Sequence, residues 1–128
     1  MEWRKDYETG IKVIDEQHMV LVDMLNKLKS PPTKEEIPKL MGQVLKGLVD
    51  YVKFHFKEEE KVMERINFPD FQKHKARHEE LVKEVVNILL RVKKGENIDI
   101  EELKDFLTHW LMDHIIDEDK EIGHFLFA

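Results

Sequence analysis

Two pairs of side chains in this sequence stand four residues apart, the spacing that brings neighbours together on one helix face: His55 with Glu59, and His74 with His78. Each pair interrupts a stripe of apolar residues that steps by three and four. His18 and His114 occupy the same kind of position in two further stripes. A carboxylate turned towards a core costs several kcal/mol unless it is paired or coordinated. One inward histidine reads as a satisfied core residue, and two as a hydrogen-bonded pair. Five inward histidines and a glutamate, spread over four stripes, exceed what packing needs, and the chemistry they point to is metal binding. Imidazole and carboxylate without thiolate suit iron, zinc, copper or nickel. A structural zinc site stops at four ligands, so the larger set fits two metals bridged by carboxylate better. A second carboxylate is then expected beyond His114. Glu118, four residues on, is the choice of an ideal helix, whereas Asp119 lies about 140° round it. Spacing alone leaves both open.

The elements that must position these groups read as four helices. The first is expected over about 15–29, starting at Asp15 as N-cap, with His18, Val22, Leu25 and Leu28 along one face. Ser30-Pro31-Pro32-Thr33 breaks it. Thr33 and Glu36 fit a capping box that opens a second helix over about 34–65, with the stripe Ile37, Met41, Val44, Leu48, Val52, His55, Glu59, Met63. Asn67-Phe68-Pro69 ends it. The third helix is expected over about 70–94, facing inward through Phe71, His74, His78, Leu81, Val85, Leu89 and Val92, and stopped by Gly95. Asp99 and Glu102 open a fourth over about 100–121, carrying Leu103, Leu107, Trp110, Leu111 and His114. Short connections between long amphipathic helices predict an all-α, antiparallel up-down-up-down bundle. The first fourteen residues form an extended arm, with Trp3, Tyr7 and Ile11 available to lie over it.

Composition sets the limits. The chain has 128 residues, 27 acidic against 21 basic side chains, seven histidines and no cysteine. That length predicts a single domain, 1–128, able to bury one core. A net charge of −6 with interspersed signs argues against a nucleic-acid binder. The missing cysteines remove disulfides, thiolate catalysis and Cys-containing metal sites. No stretch approaches the roughly 20 apolar residues of a membrane helix, and the opening residues lack the apolar core of a secretory signal. The expectation is a cytoplasmic protein, by default a monomer.

The spaced residues resemble the hemerythrin family, specifically its single-domain bacterial members. The family's order of motifs is matched by His18, His55-x3-Glu59, His74-x3-His78 and His114-x4-Asp119, and its opening signature by Trp3, Tyr7, Gly10-Ile11, Ile14-Asp15 and Gln17-His18. Myohemerythrin is itself a known up-and-down bundle, so the resemblance and the helix pattern are not independent grounds for the fold. The resemblance implies a non-haem di-iron site that binds dioxygen reversibly, and no enzymatic activity. It implies one iron held by His74, His78 and His114 and the other by His18 and His55, with Glu59, Asp119 and an oxo or hydroxo ion bridging. Here the family pattern selects Asp119 over Glu118, which requires local loosening of the helix or an aspartate that reaches round. One coordination position stays open on the two-histidine iron. Phe56, Trp110, Leu111 and Ile115 match apolar pocket positions of the family, and the same residues read equally as bundle core.

His109 and His124 have no counterpart in the motif and are expected to be solvated. Glu58, Glu60, Asp117 and Glu118 are expected to be solvated as well, unless one of them orients a ligand imidazole. The alternatives to oxygen binding are a di-iron redox enzyme (peroxidase, ferroxidase or nitric-oxide-reducing) and an oxygen-sensing module acting through a partner. Ferritin-like oxidative sites use two Glu-x2-His motifs, and this chain has that spacing only at Glu121-x2-His124, in its tail. The apolar end, Phe125-Leu126-Phe127, is expected to pack back on the bundle rather than to form an interface.

Overall fold

A polar layer inserted between two apolar ones is the organising feature of every helix in this chain. The computed structural model describes residues 2–29 and 33–128, and the elements among them are all helical. A short 3-10 turn, Lys5–Tyr7, precedes α1 (Lys12–Asn26), α2 (Ile37–Arg65) and α3 (Phe71–Lys93). The fourth rod is one continuous helix in three parts: α4 (Ile100–His109), a π-helical segment (Trp110–Ile116) and α5 (Asp117–Leu126). The four rods form the expected bundle. α2 packs on α1 and α3, and the fourth rod closes on α1, while Trp110 Nε1 donates to the Leu81 carbonyl at 3.0 Å and ties it to α3.

Along α1 the buried order is Ile14, then His18, then Leu21; along α2 it is Val52, His55 with Glu59, then Met63. α3 buries His74 and His78 before Leu81, and the fourth rod buries Ile115 and Ile116 before Asp119 and Ile122. The larger apolar cluster, centred on Leu21, Leu45, Leu48, Val52, Val85 and Leu107, lies on one side of the polar layer. Met63, Phe68 and Ile122 form a smaller one that closes the other side.

Helix boundaries show where local signals were and were not enough. Gly95 adopts φ +83° and Asn67 φ +56°. The Phe68 N–H reaches the Met63 carbonyl and the Glu96 N–H the Arg91 carbonyl, so both helices end on left-handed caps, expected at Gly95 and newly seen at Asn67. Asp99 caps α4 through bonds from the Glu101 and Glu102 amides. Asp15 does not cap α1. The helix starts at Lys12, and the Asp15 carboxylate reaches back to accept from the Thr9 amide (2.8 Å), the Thr9 hydroxyl (2.9 Å) and the Gly10 amide (3.1 Å). It fastens the arm rather than opening the helix. α2 begins at Ile37, with residues 33–36 in a turn that the Glu36 amide closes on Thr33 Oγ1. Residues 30–32 of the expected break lie outside the described residues.

The fourth rod runs to Leu126, beyond the expected 121, because Gly123 does not end it. Gly123 is instead the point where the arm crosses: a Cβ there would run into the Thr9 carbonyl oxygen. Gly123→Ala is therefore expected to cost more than the roughly 1–3 kcal/mol of ordinary overpacking, because backbone rather than a mobile side chain must move. Urea unfolding followed by circular dichroism measures it, and an unchanged midpoint would contradict the crossing. The apolar tail packs back only in part. Phe125 lies edge-on to Phe68 and Phe127 covers Gly10, yet Phe125, Leu126 and Phe127 all stay exposed.

Candidate metal centre

The polar layer gathers four imidazoles and two carboxylates from all four rods. His18 and His55 stand on α1 and α2, Glu59 one turn after His55, His74 and His78 on α3, and Asp119 on α5. All six are buried, Glu59 completely. Each histidine turns its Nε2 to a carboxylate. His18 lies 2.8 Å from Asp119 Oδ2, and His55 lies 3.4 Å from the same oxygen and 3.2 Å from Glu59 Oε2. His74 is 2.9 Å from both Glu59 Oε1 and Asp119 Oδ1, and His78 is 2.8 Å from Glu59 Oε1.

The donors divide into two overlapping groups with ligand atoms mutually within 4.8 Å: His18, His55, Glu59 and Asp119, and Glu59, His74, His78 and Asp119. Both carboxylates belong to both groups. Metal ions suit this set on physical grounds. His18 Nδ1 and Glu59 Oε2 are buried without a hydrogen-bond partner among the described residues, and an unsatisfied carboxylate oxygen at the centre of a core is destabilising unless a cation meets it.

Two of the rings are held with Nε2 inward. The His55 Nδ1–H donates to Gln17 Oε1 at 2.7 Å, and the His78 Nδ1–H to Glu60 Oε2 at 2.8 Å. With Nδ1 held outside, Nε2 faces the carboxylate layer, where a metal ion would take its lone pair in place of the hydrogen shared with the carboxylates. Phe56 stacks flat on His78, with centroids 3.8 Å apart and planes 1° from parallel, which fixes that ring's orientation further.

Without metal, protons hold the site together. Burial opposes the charged form of His55 and His74, but the Asp119 and Glu59 carboxylates outweigh it and push the pKa of His55 up to about 9 and that of His74 to about 10. Burial likewise pushes Asp119 up. Its contacts with Glu59, His18, His55 and His74 prevail and hold it well below the usual range. Glu59 is lowered too: burial and the Asp119 charge raise it, while His55 and His74 bring it down. Two carboxylates are thus balanced by two imidazolium rings in the absence of a larger cation.

Asp119, not Glu118, joins the layer. Glu118 stands at the surface and pairs with Arg77 at 3.2 Å. Phe56, Trp110, Leu111 and Ile115 are buried against the ligand-bearing turns. His109 is exposed and bonds Asp113 at 2.8 Å, and His124 is exposed near Glu121. Of the acidic neighbours, Glu60 orients a ring. His114 does not join the layer. Its side chain is 41% exposed, and its Nδ1 lies 2.6 Å from an Arg77 amino group. Sequence reasoning did not find Gln17 or Arg77. Gln17 had a signal, because Ile14, Gln17 and Leu21 share one inward stripe. Arg77 had none, because its partner is 37 residues away.

Comparison with known proteins bears on this layer. Residues 9–126 match the family model described as a hemerythrin HHE cation-binding domain. The bacteriohemerythrin of Stenotrophomonas maltophilia is 38% identical over 118 residues, covering 92% of this chain and 76% of that protein. That of Methylococcus capsulatus is 33% identical, covering 100% and 98%. A crystal structure of wild-type hemerythrin superposes with a TM-score of 0.84 at 35% identity over 100% of this chain and 98% of the other. A leucine-to-alanine mutant of hemerythrin gives 0.84 at 34% identity. With the whole helical frame and the cation-binding stretch both matched, the chain belongs to the hemerythrin family.

Proposed function

We propose that this protein binds dioxygen reversibly at a pair of non-haem iron ions, as a carrier, store or supplier rather than an enzyme. One observation carries the reading: the two donor groups share both carboxylates. Two separate ions would not need common ligands, whereas a bridged pair requires them. His18 and His55 would hold one iron, His74 and His78 the other, with His114 as the fifth imidazole and an oxo or hydroxo ion as the third bridge. When bound, the two ferrous ions supply two electrons to dioxygen and recover them on release.

The protein's contribution is orientation and dryness. Gln17 and Glu60 keep Nε2 of His55 and His78 inward. Phe56, Trp110, Leu111 and Ile115 keep water from the layer, since all four are buried and the only polar atom among their side chains, Trp110 Nε1, is engaged with Leu81. Donors rich in neutral imidazole favour iron that returns to the ferrous state, in contrast to the glutamate-rich oxidative bundles. The proposed setting is a cytoplasmic monomer. Among the described residues no helix is long and apolar enough to cross a membrane.

Metal analysis joined to absorption spectroscopy tests the proposal. The anaerobically reconstituted protein is expected to hold two irons per chain. Oxygen should produce a visible band that disappears on deoxygenation and returns through repeated cycles. A zinc-only or single-metal protein, or oxygen consumed with turnover of an added substrate, would overturn it.

A further inference from the structure

His114 and His78 face opposite fates, one ring held outside the polar layer and the other within it. Arg77, next to His78 in the chain, brings one amino group to 2.6 Å from His114 Nδ1. Its other amino group lies 2.8 Å from Glu80 Oε2, and its Nε lies 3.2 Å from Glu118 Oε1. A guanidinium only donates hydrogen bonds. His114 Nδ1 must therefore accept, and the ring hydrogen sits on Nε2. A metal needs a ring lone pair, but that of Nδ1 is engaged by Arg77 and Nε2 carries the hydrogen. In this arrangement neither nitrogen of His114 can be a ligand. His78 shows the reverse pattern, with Nδ1–H donated outward to Glu60 and Nε2 turned inward, 2.8 Å from Glu59 Oε1.

The backbone gives a second, independent sign. Leu111, Ile115 and Asp119 are buried at regular four-residue spacing, so the inward line of the rod passes beside His114. His114 and Asp119 are five residues apart and share a face only across an i→i+5 turn. The loosened turn exists, but it spans Trp110–Ile116, upstream of the place where it would align the two.

We propose that Arg77 is a positioning residue that latches His114 outside the centre, so that the fifth histidine closes on the metal only after Arg77 lets go and the π turn moves towards Asp119. The proposal rests on the two-iron reading. The first metal ions meet His18, His55, His74, His78 and the two carboxylates, which are already gathered, and His114 completes the site in a separate step. The latch is braced on both sides by Glu80 and Glu118, which hold the guanidinium against the ring. A groove of about 480 Å³ lined by Phe68, His74, Arg77 and Glu118 leads from solvent to this point, so the latch stands at an opening rather than in sealed core.

Anaerobic ferrous titration of the metal-free wild-type and Arg77→Gln proteins tests it, followed by iron content, stopped-flow kinetics and nitrogen-15 spectra of the histidine rings and of backbone amides 110–119. In the metal-free wild type, His114 should carry its hydrogen on Nε2. Loading should be biphasic, with the amides of the π segment shifting only in the slow phase. In Arg77→Gln the slow phase should accelerate about tenfold or more, the loss of one charge-assisted hydrogen bond, with two irons still bound. Glu118→Gln, which weakens the brace from the surface, should act in the same direction to a smaller extent. A hydrogen on His114 Nδ1 in the metal-free protein, or unchanged loading kinetics in Arg77→Gln with two irons bound, would overturn the latch alone. Failure of the wild type to take up two irons would overturn the two-iron reading, and the latch with it.

Discussion

Glu59→Ala should lower the iron content from the proposed two per chain to none under conditions where the wild type is full. Glu59 belongs to both donor groups, with Oε1 2.8–2.9 Å from His78 and His74 and Oε2 3.2 Å from His55. Losing a residue that only orients a ligand typically weakens metal binding by about 10–100-fold, so losing a directly shared carboxylate should weaken both positions by more than about 100-fold. The same replacement leaves His55 and His74 with Asp119 alone. Removing one partner from a buried ionic network costs about 3–5 kcal/mol, so the alanine variant will be less stable as well as metal-poor.

Glu59→Gln separates the two effects. It keeps the volume and a hydrogen-bonding oxygen but removes the charge that a bridge between two cations needs. Glu60→Gln is the graded comparison: it touches only the His78 ring, so it should weaken one position by the roughly 10–100-fold of an orienting residue and leave the other intact. Anaerobic ferrous titration with metal analysis reads all three. Two irons retained by Glu59→Gln at wild-type affinity would contradict a shared bridging role.

Much of this layer was legible because helix periodicity is rigid. An i, i+4 pair on an apolar face has nowhere to go but inward, and His55 with Glu59 and His74 with His78 are placed where their spacing puts them. Asp119 was different. Ideal periodicity left Glu118 and Asp119 open, and only the family pattern chose. The structure shows how Asp119 reaches the core: a π-helical segment alters the phase of the rod before it, so that Asp119 follows Leu111 and Ile115 inward at four-residue spacing. That same phase change moves the inward line from His114 to Ile115, a consequence invisible to a fixed 3.6-residue count. Asp15 misled for a related reason. Aspartate is a good N-cap by type, but the chain before it carries Thr9 and Gly10, whose donors it takes instead. The fourth helix is expected to stop at 121, before Gly123, because local propensity does not know that the arm needs a residue without a Cβ at that crossing.

Metal loading should release up to two protons per chain at pH 7, and the pH dependence of stability should reverse between the metal-free and iron-loaded proteins. In the metal-free protein His55 stands at about 9 and His74 at about 10, against 6.5 unfolded. Their folded values are raised, so their contribution is present in full below about 6.5 and is lost as pH rises through 9 and 10. Glu59 and Asp119 are lowered from 4.5 and 3.8, so their contribution is present above those values and is lost as pH falls through the lowered ones. The metal-free protein should therefore be most stable between about pH 4.5 and 6.5. A tenfold change in proton affinity corresponds to about 1.4 kcal/mol, so its melting temperature should drop on the order of 10 °C between pH 6 and 10. Iron must displace the protons of His55 and His74 to bind, so the apparent affinity should rise by up to about two orders of magnitude per pH unit over roughly pH 7–9. Calorimetric titration in buffers of different ionisation heat counts the released protons, and melting curves of both forms across pH 5–10 give the stabilities. The gap between the two melting temperatures should widen with pH. A gap that stays constant or narrows would mean that His55 and His74 are not the groups at which protons and metal compete.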